Sequence, residues 1–451
     1  MANRLANTSV LVAGLIVGVA GRGLSAAETA SAEKADAERA EAVIQKLGGK
    51  VTTNEKSLRK PVISVVFQPG TTTDAGLEHI EGLTQLRLLD LTGTQVTDAG
   101  LEHLKGLNEL QTLKLGYSKA TDAGLAHLRG LTQLRSLNLS GTKVGDAGLD
   151  HLKGSTQLQT LSLFDTRITD SGLERLKGLT QLQELNLHST KVTDAGLEHL
   201  KGVTRLQMLD VAYTKVTDAG LLHLEGSAQL LMLNLTRTQV TDVGLVHLKG
   251  LTQLRSLDLS GTKVGDAGLD HLKGLTQLQT LSLWCTRITD SGLERLSGLP
   301  QLSSLDLGAT AVTAAGLDHL KGLTQLRTLG LRSTQVAAAG LKHLGGLSQL
   351  QTLDLAYTKV TDAGLVDLKG LTQLRGLNLQ STPVTDAGLV HLKGLTQLQT
   401  LGLWCTQVSD AGLEHLKGLG QLQSLGLAET QVTDAGEAGL KKALPNCRIH
   451  R

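Results

Sequence analysis

A threonine or serine returns every 24 residues, from Thr94 through Ser118 and Thr142 to Thr430, with no insertion or deletion. One frame surrounds it, read from Leu86 as LxxLxLxxTxVTDAGLEHLKGLTQ. Asp74 and Gly76 fall in the columns of Asp98 and Gly100, so the series starts one period earlier, at Gly70. A fixed period of this size, held over sixteen copies, dictates a solenoid. Each rung then touches only its neighbours, and the length of 451 residues does not imply several globular domains. Because one rung is offered over and over, function must lie where rungs differ.

Each rung reads as a strand, a bend and a short helix. Leu89 and Leu91 alternate with Leu88, Asp90 and Thr92, which places leucines inward and their neighbours on the open face of a parallel sheet. Thr94 is expected to turn the chain inward, its hydroxyl bonding backbone groups buried at the bend. Thr97 and Asp98 supply a helix start, capping free N–H groups and setting a negative charge at the positive end of the dipole. Leu101 and Leu104 share a helical face, and Gly106 suits the left-handed residue that ends a helix. Gly100 is costly inside a helix and predicts close approach to a neighbouring rung. The predicted core of this rung is Leu86, Leu89, Leu91, Val96, Leu101, Leu104 and Leu107. So few side chains cannot offset the ordering of a whole rung, so neighbours must share burial and both ends need caps.

Residues 1–27 read as an export signal: Arg4 is a positive start, Ser9 to Ala20 an apolar run too short to span a bilayer, and Ser25-Ala26-Ala27 a set of small residues for cleavage. The alternative is an uncleaved membrane anchor, with Arg22 just after the apolar run. Residues 28–61 are expected to be a capping helix and linker, the helix running from about Ala30 to Leu47 and stopping at Gly48-Gly49. Val43, Ile44 and Leu47 would cover the first rung. The solenoid occupies residues 62–436, opening on a strand from Val62 to Phe67. A C-terminal cap takes residues 437–451, where Glu437 replaces an inward leucine, a closing turn follows, and Ile449 returns to the strand-leucine column. No membrane span is expected in the mature chain.

The net charge of +2 gives no reason to expect nucleic acid. With only two Trp, three Tyr and two Phe, the core must be built from leucine. Cys285 and Cys405 occupy equivalent sites five rungs apart, about 24 Å at about 4.8 Å per parallel strand, too far for an intramolecular disulfide.

The frame LxxLxLxxT followed by VTDAGLxHL resembles the leucine-rich-repeat superfamily, in particular its ribonuclease-inhibitor-like and F-box-type repeats. Runs such as KVTDAGLEHLKGLTQLQTL look like the repeats of exported bacterial leucine-rich-repeat proteins, as do the opening QKLGGKV and closing LPNCRIH. The resemblance covers residues 41–451 and implies an α/β horseshoe with a parallel sheet on the concave face and short helices outside. It also implies protein binding through the concave face. Threonine stands where the superfamily commonly has asparagine, and no F-box module precedes the first rung, so an adaptor role in ubiquitin ligation is not supported.

Among surface columns, His79, His103, His127 and their equivalents to His415 share one outer helix position; solvated copies offer no closed ligand set, so no metal site is expected. Lys105 and its equivalents complement helix C-termini. Lys119, Lys143, Arg167, Lys191 and Lys215 form an unbroken basic ridge beside the sheet, a solvated edge or a contact for an acidic partner. Six of the seven aromatics fall in two columns expected on the exposed sheet face: Phe164, Trp284 and Trp404 in one, Tyr117, Tyr213 and Tyr357 in the other. Phe164, His188, Tyr213 and Arg237 lie on four successive rungs, with Asp165, Glu184 and Asp210 among them. They form the first candidate partner-binding patch; Trp284, Arg332 and Tyr357 form a looser second, and Trp404 stands further along. Duplication competes with this reading, since residues 135–154 recur almost unchanged at 255–274, the spacing that separates Phe164, Trp284 and Trp404.

No phosphate-binding loop, HExxH, GxSxG or CxxC pattern is present. The sequence thus predicts an exported, non-enzymatic scaffold without cofactor that binds a protein through its concave face, or else a structural envelope spacer or adhesion protein without a specific ligand there.

Overall fold

The computed structural model describes residues 41–57 and 60–451; the expected export signal and most of the expected capping helix lie outside them. Two strands open the described chain, β1 (Lys50–Thr53) and β2 (Val62–Val66), paired antiparallel. Three-residue strands then follow one per rung, from β3 (Leu88–Asp90) to β17 (Ser424–Gly426), and β18 (Arg448–His450) closes the series. From β2 onward every strand pairs in parallel with the next, Leu89 opposite Leu113 at the start and Leu425 opposite Ile449 at the end. The result is one open sheet of 18 strands, with all outer turns on its other face. These turns are wider than a strand, so the stack bends with the sheet on the concave side.

The repeat frame explains the interior. All seven predicted core positions of the second rung are buried, from Leu86 at 0% exposure to Leu107 at 1%. The threonine column is buried as far as Thr406, and each threonine hydroxyl donates to a carbonyl three residues earlier: Thr94 to Leu91 O at 2.7 Å, Thr214 to Val211 O at 2.6 Å. Ser118 departs from this and accepts from Ala120 N at 3.4 Å.

Just before each of these hydroxyls the backbone is left-handed. Twelve non-glycine residues of this column, Tyr117, Asp165, Tyr213, Arg237 and Cys285 among them, have φ between 50° and 58°. Only Gly93, Gly141 and Gly261 fill it with glycine. The inter-rung ladder holds the bend, with Tyr117 N donating to Ser140 O at 2.7 Å and Tyr213 N to Thr236 O at 2.8 Å.

On the outer side the Thr-Asp pair does more than start a helix. Asp98 accepts two hydrogen bonds from the next rung, from Thr121 N at 2.7 Å and Thr121 Oγ1 at 2.6 Å. The same clamp joins Asp194 to Thr217 and Asp386 to Ser409. Helix capping within a rung is the weaker part, as in Ala99 N to Thr97 Oγ1 at 3.3 Å. The expected close approach at Gly100 is this contact seen from the other side: a β-carbon there would strike Asp74 of the preceding rung. Helix C-termini differ from expectation. Only Gly82 and Gly106 of their column take positive φ, because most outer elements are single α or 3₁₀ turns too short to need a left-handed stop.

Both ends also depart in detail. Ile44 is buried against the first rung but Leu47 is exposed, because β1, which the sequence reading missed, supplies the cover instead. At the far end the expected closing turn is a ten-residue helix, Asp434–Ala443, with Leu440 replacing Glu437 as the inward residue.

Candidate functional site

The aromatic columns do not lie on the strands. Phe164 follows the strand Thr160–Ser162 by two residues, and Tyr213 follows Met208–Asp210 by three, within the left-handed bend. Strands of three residues end before these columns, so the rings line the rim where the sheet turns outward. This corrects the expected place on the flat face for all but Trp404, whose indole does reach over the sheet, and leaves them on one side of the molecule.

On that rim the first patch is brought together. Phe164 meets His188 edge-on with ring centroids 4.8 Å apart, and His188 stacks on Tyr213 at 5.0 Å. The Arg237 guanidinium then lies 5.7 Å from the Tyr213 ring centroid. Four rungs thus contribute one continuous row, in which Tyr213 keeps half of its surface exposed. Asp210 lies beside the row but is engaged, accepting from Ala212 N at 2.9 Å and Asn234 Nδ2 at 3.2 Å. Asp165 is exposed within the bend, and Glu184 sits on the strand, its carboxylate 3.4 Å from the Thr160 hydroxyl. Asn234 was not singled out from sequence; its signal is its place one period after Asp210.

Arg332 lies 4.7 Å from the Tyr357 ring centroid, so the second patch also forms, with Trp284 two rungs away from Arg332. The Trp284 indole lies along the rim over Gly308, where a β-carbon would not fit. Trp404 occupies the same column but has Ala428 where Trp284 has Gly308, and its indole turns inward over Gly426. There it walls a concavity of about 310 Å³ lined by Thr352, Asp354, Asn378 and Thr400, with Gly376 and Gly402 leaving the space open. Small residues on the next rung, 24 residues on for Trp284 and 22 for Trp404, therefore match where each indole goes, a signal present in the sequence but readable only with the stacking geometry.

The third strand position carries its own electrostatics. Asp306 is half-buried, and burial pushes its carboxyl above the usual range, helped by Asp354 and Asp258 two rungs away and opposed by the Gly308 N–H. At Asp90 burial acts in the same direction, but hydrogen bonds from Thr92 and the nearby Lys114, at 3.2 Å, bring it net below.

Some outer histidines pair with neighbours, His247 with Glu225 at 2.7 Å and His343 with Asp318 at 2.7 Å, whereas the buried Nδ1 atoms of His223 and His391 have no hydrogen-bond partner among the described residues. Among the described residues no group of three or more potential ligands is placed to hold a metal ion. Most outer lysines pair within their own rung, Lys105 with Glu102 at 2.9 Å and Lys273 with Asp270 at 2.7 Å, the exceptions being those with valine three residues earlier, such as Lys249. Lys119, Lys143, Arg167, Lys191 and Lys215 are all exposed along the rim, one residue past the buried threonine column.

Comparison with known proteins agrees with this architecture. A family described as a leucine-rich-repeat region matches residues 69–292, and two further leucine-rich-repeat families match residues 276–336 and 347–369. The chain belongs to the leucine-rich-repeat proteins. An internalin of Listeria monocytogenes is similar in structure at a TM-score of 0.55 and 25% identity, covering 81% of this chain and 94% of that one. A leucine-rich-repeat protein of Leptospira interrogans is similar at a TM-score of 0.58 and 21% identity, covering 86% and 100%. The functional domain of Listeria monocytogenes InlJ is similar at 0.51 and 21%, covering 82% and 71%; the last two speak for the fold alone. No curated protein matches the sequence.

Proposed function

We propose that this protein is a non-enzymatic scaffold that recognises another protein through the bend-side rim of its concave sheet. Phe164, His188, Tyr213 and Arg237 form the centre of the contact, and Trp284, Arg332, Tyr357 and Trp404 extend it along the solenoid. The observation that carries this reading is the row itself: two aromatic rings, an imidazole and a guanidinium in contact one with the next across four rungs, on a surface that the other described residues leave open. Aromatic and arginine side chains are the usual anchors of protein interfaces. The reading also takes the chain to be exported, on the strength of the apolar run Ser9 to Ala20 followed by Ser25-Ala26-Ala27.

The test compares the full chain with a Phe164→Ala/Tyr213→Ala variant in crosslinked pull-downs from the envelope fraction. Circular dichroism verifies that the variant keeps its fold. The expected result is a partner lost by about tenfold or more in the variant. Equal recovery by a folded variant would overturn the reading and favour a spacer.

A further inference from the structure

We infer that the segment recognised at this rim is an acidic stretch of polypeptide laid along the solenoid axis, across the rungs, on the ridge Lys119, Lys143, Arg167, Lys191 and Lys215. The inference rests on the proposed protein-binding reading and names the chemistry of its partner. Its first support is a contrast between two basic columns of one protein. On the outer face, Lys105, Lys153, Lys177 and Lys201 each find an acid three residues earlier, at 2.9, 2.8, 3.4 and 3.7 Å, and only Lys249, Lys369 and Lys393, which have valine there, stay unpaired among the described residues of that column. None of the five ridge cations makes an ion pair or a side-chain hydrogen bond among the described residues.

Spacing makes that contrast matter. The ridge backbone is part of the inter-rung ladder, Arg167 N donating to Val144 O at 2.9 Å and Lys191 N to Ile168 O at 2.9 Å. Successive cations are therefore anchored about 4.8 Å apart, well inside a Debye length of about 8–10 Å. An array of one sign at that spacing opposes itself, and a complementary chain of carboxylates relieves it. The run spans about 19 Å, which about six extended residues cover. Gln95 precedes it and Gln239 interrupts it, after which Lys263 and Arg287 resume it for two rungs.

The ridge adjoins the aromatic row, since Lys215 is separated from Tyr213 only by the buried Thr214. One segment can place carboxylates on the ridge and apolar side chains on the row. A nucleic acid fits less well. His188 stacks on Tyr213 and Arg237 lies over the same ring, so the Tyr213 ring is engaged within the row rather than open to a base.

The experiment uses the full chain and a short labelled peptide of alternating glutamate and tyrosine, followed by fluorescence anisotropy. Controls are the same peptide with glutamine for glutamate, and a labelled oligothymidylate. The variant combines Lys119→Gln, Lys143→Gln, Arg167→Gln, Lys191→Gln and Lys215→Gln. Expected are binding of the acidic peptide alone, weakening with added salt, and a loss of at least about tenfold in the variant. Salt-independent binding, equal binding of the glutamine peptide, an unaffected variant, or tighter ridge-dependent binding of the oligothymidylate would each overturn the inference. Phe164→Ala/Tyr213→Ala separates the two claims. If it leaves acidic-peptide binding intact while the ridge variant removes it, the ridge assignment stands and the aromatic centre of the proposed function falls.

Discussion

At the scale of single residues, the least legible feature is the left-handed column. It holds tyrosine, serine, aspartate, arginine, cysteine, alanine and glutamate as well as glycine, so no composition marks it. Its conformation is imposed by the ladder on both sides and the buried hydroxyl that follows. A side chain in this region costs roughly 1–2 kcal/mol. Ala309→Gly, at φ 53°, should therefore stabilise the protein by about 0.5–1 kcal/mol in urea denaturation, whereas Gly141→Val should destabilise it by more than that. Asp306 gives a second residue-level expectation. Burial first, and then Asp354 and Asp258, raise its carboxyl above the ordinary value in the folded chain. With the folded value above the unfolded one, its contribution to stability is present at pH below the unfolded value and lost as pH rises through the folded value. Asp306→Asn keeps an acceptor for the Gly308 N–H, so its melting temperature should exceed the parent's at neutral pH, with the gain vanishing in acid. An equal gain at every pH would mean that charge is not the cause.

At the scale of the rung, the Thr-Asp dipeptide was visible in the sequence, but its main bond was not. Reading one rung alone assigns the carboxylate to its own helix; only stacking shows it bonded to the next threonine, 23 residues on. Asp218→Ala removes the charged acceptor of two hydrogen bonds donated by Thr241, and a loss of roughly 1–3 kcal/mol is expected in urea denaturation. The chain itself omits this clamp in two successive places. Ala314 faces Ala337, and Ala338 faces Thr361, between the intact pairs Asp290–Thr313 and Asp362–Thr385. The backbone ladder continues there, with Gln335 N on Val312 O at 3.0 Å and Lys359 N on Val336 O at 2.9 Å. Residues 311–345 therefore lack bonds between rungs as well as the helix-start residues of the frame, and form the soft segment of the solenoid. Hydrogen exchange should be faster over 311–345 than over 190–220, and Ala338→Asp, opposite Thr361, should slow it. Equal protection in the parent chain would refute the assignment.

Across the whole molecule, period and leucine columns made the solenoid, its parallel sheet and its buried threonines legible, because each is a repeated local rule. The candidate row was legible as a list of residues but not as a surface, since three-residue strands push the aromatics onto the rim and single glycines steer the two indoles apart. Cooperativity belongs to this scale too. In a chain whose rungs couple only to their neighbours, a weak pair of junctions divides the array into two blocks. Trp284 lies before the unclamped junctions and Trp404 after them, each with most of its block on its own side. A Trp404→Phe variant therefore reports the N-terminal block by fluorescence, and Trp284→Phe the C-terminal one. Their urea midpoints should differ, and adding Ala314→Asp, Ala337→Thr and Ala338→Asp to both should bring the midpoints together. Coincident midpoints without those substitutions would mean that the leucine core and backbone ladder transmit unfolding across the gap unaided, leaving the carboxylate clamps a local role.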